Sequence, residues 1–432
     1  MKPIQKRKKI NNNSLCQYIE RNASFVPVVL EKPVLNLRYC IVIPCYNETN
    51  ILDTLNSIEI TLQNKSGIEI IVVINSPEKA PEEVIAQNEE TAKSLKNWGE
   101  LNKSEFFALH VIKKPDLPMK KAGVGQARKF GMDEAIYRFL LADQDDGVII
   151  SLDADTICSK NYLNQIDLFY RKYPKAKGCN INFEHDLDSI NDEKLRNAVA
   201  QYELYLRYYI DSIRFTGFPN AYHTIGSCFS VKASAYCMQG GMNVKKAGED
   251  FYFLQKLFYL DNFYELNSAV VYPGTRISNR VIFGTGPSIN KIYNTGMDFN
   301  VYNFHAFKLF KGLFYNFRLY YQQKNKALKE INRLPETFKD FLQEYEIYQK
   351  LEEITENVSG VSAFEKRLFQ KFNNFFIVKG LNYLHRHAFE KYPVKEGATD
   401  YLRNIGYDKD FSIYELLNFF RQFQKQRPVI LP

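Results

Sequence analysis

Apolar residues in the first half of the chain come in short unbroken runs, separated by longer stretches in which they recur every three or four positions. The runs are Cys40-Ile41-Val42-Ile43, Ile68-Glu69-Ile70-Ile71-Val72-Val73-Ile74, residues 106–112 and Gly147-Val148-Ile149-Ile150. Each predicts a buried strand. The first is stopped by Pro44, and the second ends at Asn75-Ser76-Pro77. The stretches between predict a helix from Ile51 capped by Thr49 or Asn50, a charged helix over 78–97, and a helix opening at Gly123–Gly125. Strands alternating with helices predict a parallel sheet with helices on both faces, whose ligands sit beyond the carboxyl ends of the strands. Asn47, Asn75, Asp153 and Asp155 all fall at that edge.

Further along, the pattern predicts a helix over 159–173, a strand over 176–183, a helix over 190–214, a strand over 223–231 and a helix over 248–260. From about residue 300 glycine becomes scarce, and Phe, Tyr, Lys and Glu dominate 301–358, 362–391 and 411–426. Three or four amphipathic helices are expected there. The domain reading is a basic tail and lead-in over 1–35, an α/β catalytic domain over 36–300 and a helical domain over 301–432. The aromatic and basic stretch from Phe304 to Arg318 reads as a core face with a solvated face; a membrane-surface helix is the second reading. Tyr202, Tyr205, Tyr208 and Tyr209 read as packing at helical spacing.

Composition adjusts this picture in three places. Aromatics at 15% of 432 residues point to aromatic cores, with sugar- or ring-stacking surfaces as the second reading. Of a net charge of +8, five positive residues (Lys2, Lys6, Arg7, Lys8, Lys9) lie in the first ten positions, so the rest is close to neutral and no nucleic-acid partner is expected. That tail reads as a solvated arm, or as a peripheral contact with an anionic membrane surface. No run approaches the roughly 18–20 apolar residues of a membrane span, and no apolar stretch follows the basic start as in a secretory signal. Seven scattered cysteines without a Cys-x-x-Cys pair fit reduced thiols in a cytoplasmic protein.

The candidate chemistry is acidic. Asp153 and Asp155 follow a strand at a spacing that points both the same way. Two carboxylates that close repel unless a cation neutralises them, and a hard ion such as Mn2+ or Mg2+ does so while keeping positions open for phosphate oxygens. Gly123 and Gly125 allow backbone to approach a ligand at a helix start. Ala127, Gly131 and Ala135 form a small-residue stripe, and Arg128 lies off it, free to reach a nucleotide or the acids of the metal site. His223 is either a third metal ligand or a hydrogen-bonded structural histidine. Glu249 and Asp250 open a helix, where the dipole favours them. Arg276 and Arg280 lie in a Gly/Pro-rich loop suited to closing on phosphate oxygens.

Val42-Ile43-Pro44-Cys45-Tyr46-Asn47-Glu48, the Gly125–Gly131 helix start with its Ala-Arg pair, and Leu152-Asp153-Ala154-Asp155 together resemble a family 2 glycosyltransferase of the GT-A fold and inverting type, over roughly residues 36–290. The resemblance implies a nucleoside diphosphate sugar donor, UDP-linked by preference, and Mn2+ or Mg2+ held through Asp155 and Asp153. It implies hexosyl transfer to the hydroxyl of a glycan, lipid-linked or small-molecule acceptor. By that likeness Pro44, Tyr46, Glu48 and Gly125 would line the nucleotide, and Arg128 would lie near its base or ribose. Asp250 would be the catalytic base and Glu249 would orient acceptor hydroxyls. Asn75 stands where many members have an aspartate that reads the base, which leaves the base open. A nucleotidyltransferase and a non-catalytic nucleotide-binding module are the alternatives. The first needs a Gly-rich phosphate loop where this chain has Pro44-Cys45-Tyr46-Asn47.

Overall fold

The computed structural model describes residues 14–22, 24–58, 62, 65–244, 248–275, 285–426 and 429–430. In chain order the elements are α1 (Ser14–Arg21), β1 (Leu37–Cys45), α2 (Ile51–Asn56), β2 (Gly67–Pro77), α3 (Glu82–Asn102), β3 (Phe107–Leu117), α4 (Val124–Leu141), β4 (Val148–Ser151), β5 (Ile157–Cys158), α5 (Tyr162–Lys172), β6 (Gly178–Phe183), α6 (Glu193–Phe215), β7 (Phe229–Lys232), α7 (Ala233–Met238), α8 (Glu249–Phe258) and β8 (Phe263–Tyr272). There follow α9 (Thr285–Thr295), β9 (Asn300–Val301), α10 (Phe304–Tyr320), α11 (Lys324–Ile331), α12 (Glu336–Glu344), α13 (Ile347–Glu356), α14 (Val361–Lys371), α15 (Asn374–His387), β10 (Tyr392–Pro393), α16 (Val394–Asn404), α17 (Ile413–Lys425) and β11 (Val429–Ile430).

The apolar runs become one nine-stranded sheet in the order β11-β8-β6-β7-β4-β1-β2-β3, with β5 on β8. Its long ladders are parallel: β1 with β2, β2 with β3, β1 with β4, and β6 with β8. The short strand β7 runs antiparallel to both β4 and β6 and joins the two parallel sets. The fold is thus α/β, a mostly parallel sheet flanked by helices with a helical C-terminal region. Pro44 does not stop β1 as its missing N–H suggested; it pairs with Val73 at a level where β4 has already ended at the Val42–Ser151 pair. β7 begins only at Phe229, and residues 224–228 form the turn leading into it. The small stripe of α4 faces the sheet as its spacing predicts: a Cβ on Gly131 would lie 2.5 Å from Val42 Cγ1 and 3.1 Å from Val73 Cγ2.

The chain divides into two units, one holding residues up to Asp186, Thr224–Pro287 and the segment from Lys425 onward, the other Leu187–His223 and Ser288–Gln424. This differs from a cut at 300. α6 carries its apolar face into the helical unit, where Tyr208 donates to the Tyr302 carbonyl at 2.7 Å and its ring lies 6.0 Å from that of Phe307. The helical core is built on Phe310, Phe314, Phe338, Phe341 and Phe376, all buried. A Cβ on Gly380 would lie 2.5 Å from Phe310 Cζ, so only glycine fits there. The aromatic face of α10 is therefore core, and the reading of that helix as a membrane-surface element is not met. Among the described residues no helix is long and apolar enough to cross a membrane. All seven cysteines are free thiols.

The described part of the N-terminal lead-in is packed against the sheet domain. From Ser14 to Leu35 it runs along α4, which carries three buried charged residues in need of partners. Asp133 accepts from Tyr18 and Tyr236, both at 2.7 Å, from Asn22 at 3.0 Å and from Lys129 at 2.8 Å. Glu134 accepts from the amides of Val28 and Val29. Arg138 pairs through two nitrogens with Glu69, each at 2.7 Å, and donates to the Glu31 carbonyl. Burial by itself would raise the Glu69 carboxyl. Arg138 and His110 outweigh that and hold it down at about 2. The basic residues 2–9 lie outside the described part of the chain.

Candidate active site

The carboxyl edge of the sheet is assembled from four loops. β4 ends at Ser151, and the chain turns through Leu152–Thr156 with Asp153 and Asp155 half-buried between the buried Leu152, Ala154 and Thr156. The turn is fixed at both sides. The Leu152 amide donates to the Val42 carbonyl at 3.1 Å, and Thr54 of α2 donates to the Ala154 carbonyl at 2.9 Å. The loop after β8 closes against it: a Cβ on Gly274 would lie 2.8 Å from Asp155 Oδ2. Arg276 and Arg280 lie outside the described residues.

At the ends of the first two strands, polar groups hold loops in place. Asn47 adopts a positive φ of 52°, which asparagine tolerates better than most residues, and its amide donates to Asn88 Oδ1 at 2.9 Å. The Glu48 carbonyl accepts from Thr91 at 2.7 Å, so the loop carrying Tyr46 and Glu48 is stapled to α3. Tyr46 is half-buried and Glu48 buried. Asn75, at the end of β2, is buried and donates to the Gly123 carbonyl at 3.0 Å. That bond sets the position where α4 begins, and with it Gly125 and Arg128 on its first turns.

Arg128 is the centre of the arrangement. Its side chain is 4% exposed, and its two terminal nitrogens contact Asp153 and Glu249. The guanidinium thereby reaches acids, one of the two destinations that its place off the small-residue stripe allows. Burial alone would lower its pKa. The Asp153 and Glu249 carboxylates, with Asp250 behind them, hold it above its ordinary value instead. Gly226, on the turn into β7, makes this possible: a Cβ there would lie 2.5–2.6 Å from guanidinium atoms. The sequence marks Gly226 as part of a small-residue strand entrance and Gly274 as part of a Gly/Pro-rich loop without showing what they meet, and Thr54 reads as an ordinary helix position.

Glu249 and Asp250 open α8 behind Gly248, which takes a left-handed φ of 71°. Glu249 is fully committed to Arg128, its side chain 2% exposed. Asp250 is half-buried, with one oxygen on the Phe251 amide at 2.7 Å. Burial and the adjacent Glu249 carboxylate push the Asp250 carboxyl up to about 6, against the pull of Arg128 and the Phe251 amide. The structure therefore brings Asp153, Glu249 and Asp250 together around one guanidinium, from segments about a hundred residues apart in the sequence.

His223 belongs to the helical unit. There its Nε2 lies 3.5 Å from Gln424 Nε2, and burial with the Arg214 and Arg207 cations holds its pKa well below the usual imidazole value.

Two carboxylates on one turn suit a hard divalent ion that completes its shell with water and phosphate oxygens. Among the described residues no group of three or more His, Cys, Asp or Glu side chains is arranged to hold an ion unaided.

No family model matches the chain, and no curated protein matches it. Among solved structures it is similar to S. aureus TarS residues 1–349 in complex with UDP-GlcNAc, at 11% identity and a TM-score of 0.40, over 77% of this chain and 90% of that one. It is similar to a longer TarS structure at 12% identity and a TM-score of 0.37, over 67% of this chain; the match spans 45% of that protein's length. A third is glucosyl-3-phosphoglycerate synthase from Mycobacterium tuberculosis with Mn2+, UDP-glucose and phosphoglyceric acid, at 14% identity and a TM-score of 0.34, over 62% of this chain and 84% of that one.

Proposed function

We propose that the protein is a glycosyltransferase that moves a hexosyl group from a nucleoside diphosphate sugar to an acceptor hydroxyl, with inversion. The observation that carries this reading is the meeting of Asp153, Glu249 and Asp250 around Arg128 at the carboxyl edge of the sheet. An inverting transfer needs two things placed within one sugar's width: charge neutralisation at the leaving diphosphate, and a carboxylate that takes the acceptor proton.

Asp155 and Asp153 would hold Mn2+ or Mg2+, which supplies Lewis-acid stabilisation of the diphosphate when bound. The Asp250 carboxylate takes the proton from the attacking hydroxyl at Oδ. A carboxyl near 6 is a better base than an ordinary aspartate and is still ionised at neutral pH. Glu249, pinned by Arg128, fixes the start of α8. Pro44 near the end of β1, with Tyr46 and Glu48 in the loop after it, would face the donor, and Asn75 and Gly125 would set the floor beneath it. Arg276 and Arg280 are proposed to reach the phosphates. His223 receives no ligand role.

Acceptors are a glycan, a lipid-linked glycan or a small polyhydroxylated molecule. A peripheral membrane contact would rest on the basic residues 2–9. The test is turnover of a panel of nucleoside diphosphate sugars with Mn2+, read as nucleoside diphosphate released. The reading expects release from at least one donor, accelerated by an acceptor sugar and absent in Asp250→Asn. Pyrophosphate release from a nucleoside triphosphate and sugar phosphate, with no diphosphate released, would assign a nucleotidyltransferase instead.

A further inference from the structure

A buried arginine in contact with two acids, and next to a third, occupies the place where an acidic crevice would otherwise collect a cation. The guanidinium contacts Asp153 and Glu249, feels Asp250, and has the Gly226 backbone as its rear wall. Its Nε has no hydrogen-bond partner among the described residues, although the side chain is buried. Nothing on the α4 side therefore dictates the tilt of the fork; the two carboxylates and the glycine wall do. A divalent ion approaching Asp153 meets a fixed positive charge already on that carboxylate, and two cations this close repel.

We infer that Arg128 is the resident cation of the crevice: a positioning residue that locks Glu249 and Asp153 and keeps the site from taking up a divalent ion until a diphosphate brings the missing ligands. The exclusion of the bare ion stands on the geometry alone. Only the identity of the admitting anion rests on the transfer reading above. Two consequences follow. Metal affinity in the absence of nucleotide is weak although three acids converge. Neutralising residue 128 leaves Asp153, Glu249 and Asp250 without their counter-charge and frees them to rearrange around a cation.

The experiment is titration of Mn2+ alone into the full-length protein, followed by calorimetry and by the electron paramagnetic resonance of free Mn2+. Wild type should show no saturable uptake below about 1 mM. Arg128→Gln should gain a site at least roughly tenfold tighter. Arg128→Lys, which keeps the charge, should remain close to wild type. Glu249→Gln on the Arg128→Gln background should remove the gain. If Arg128→Gln does not fold, Gly226→Ala displaces the guanidinium from behind and should produce the same gain. Tight uptake of Mn2+ alone by wild type overturns the inference. So does a folded Arg128→Gln that binds Mn2+ no better than wild type. The transfer reading is tested separately by adding UDP: a gain in Arg128→Gln with no UDP binding by wild type leaves the exclusion standing and removes the diphosphate.

Discussion

Arg128 and Glu249 lie 121 positions apart in the sequence and meet through a guanidinium–carboxylate contact that is almost wholly closed to solvent. The contact ties the first turns of α4 to the start of α8, and the second terminal nitrogen carries the tie on to the turn after β4. Asp153 and Glu249 are thereby held together by a single side chain.

Asp155→Ala and Asp250→Asn should separate the two halves of this arrangement. The first should raise the donor KM and lower kcat if Asp155 holds the metal as proposed. The second should lower kcat by about two to four orders of magnitude with little change in donor KM. Steady-state kinetics beside an unchanged far-ultraviolet circular dichroism spectrum check both. Near-normal turnover in either variant removes that residue from the mechanism.

The pH dependence follows from Asp250. With its carboxyl near 6, kcat/KM should fall about tenfold per unit as pH drops below that value. Stability gives an independent reading. A carboxyl whose folded pKa is raised destabilises the fold when ionised. That cost is absent below the unfolded value near 3.8 and complete above about 6. Asp250→Asn should therefore raise the unfolding midpoint at pH 8, with the gain shrinking toward pH 4. A gain that grows on acidification would contradict the assignment.

Glu69 has the opposite sign. Its carboxyl is held down near 2 beside Arg138, so the pair stabilises the fold above the ordinary value near 4.5 and loses that contribution as pH falls toward 2. Glu69→Gln leaves the Arg138 charge buried with half its partner gone and should cost on the order of 3–5 kcal/mol in urea unfolding at pH 7. The difference from wild type should narrow at pH 3. A constant difference would mean that Glu69 does not titrate in this range.

The packing of the N-terminal lead-in on α4 should depend on Asp133, which takes hydrogen bonds from Tyr18, Tyr236 and Asn22. Asp133→Ala should cost about 3 kcal/mol or more and expose residues 14–35 to limited proteolysis. Tyr18→Phe should cost about 1 kcal/mol, since one bond of four is lost. Equal proteolysis of Asp133→Ala and wild type would show that the lead-in is held by other contacts.

Strand and helix order was legible because buried parallel strands are apolar on both faces and leave unbroken runs such as Ile70–Ile74. The Asp-x-Asp turn and the helix-opening Glu249-Asp250 were legible because each carries its spacing locally. What stayed hidden was tertiary. Asp133, Glu134 and Arg138 look like ordinary polar positions of an amphipathic helix until the lead-in covers them. Glu69 sits in an apolar run whose other members gave no sign of a buried ion pair. The role of Gly226 depends on a guanidinium a hundred residues earlier in the chain, which no local pattern encodes. α6 reads as one more helix after a strand, and only its packing on α10 and α16 assigns it to the helical unit.

The most direct measurement is calorimetric titration of UDP into the protein with and without Mn2+, repeated with Asp155→Ala. The account predicts saturable UDP binding that is strengthened at least about tenfold by Mn2+ in wild type, and not strengthened in Asp155→Ala. Absence of binding by UDP and by every other nucleoside diphosphate tried, or binding indifferent to Mn2+, would contradict it.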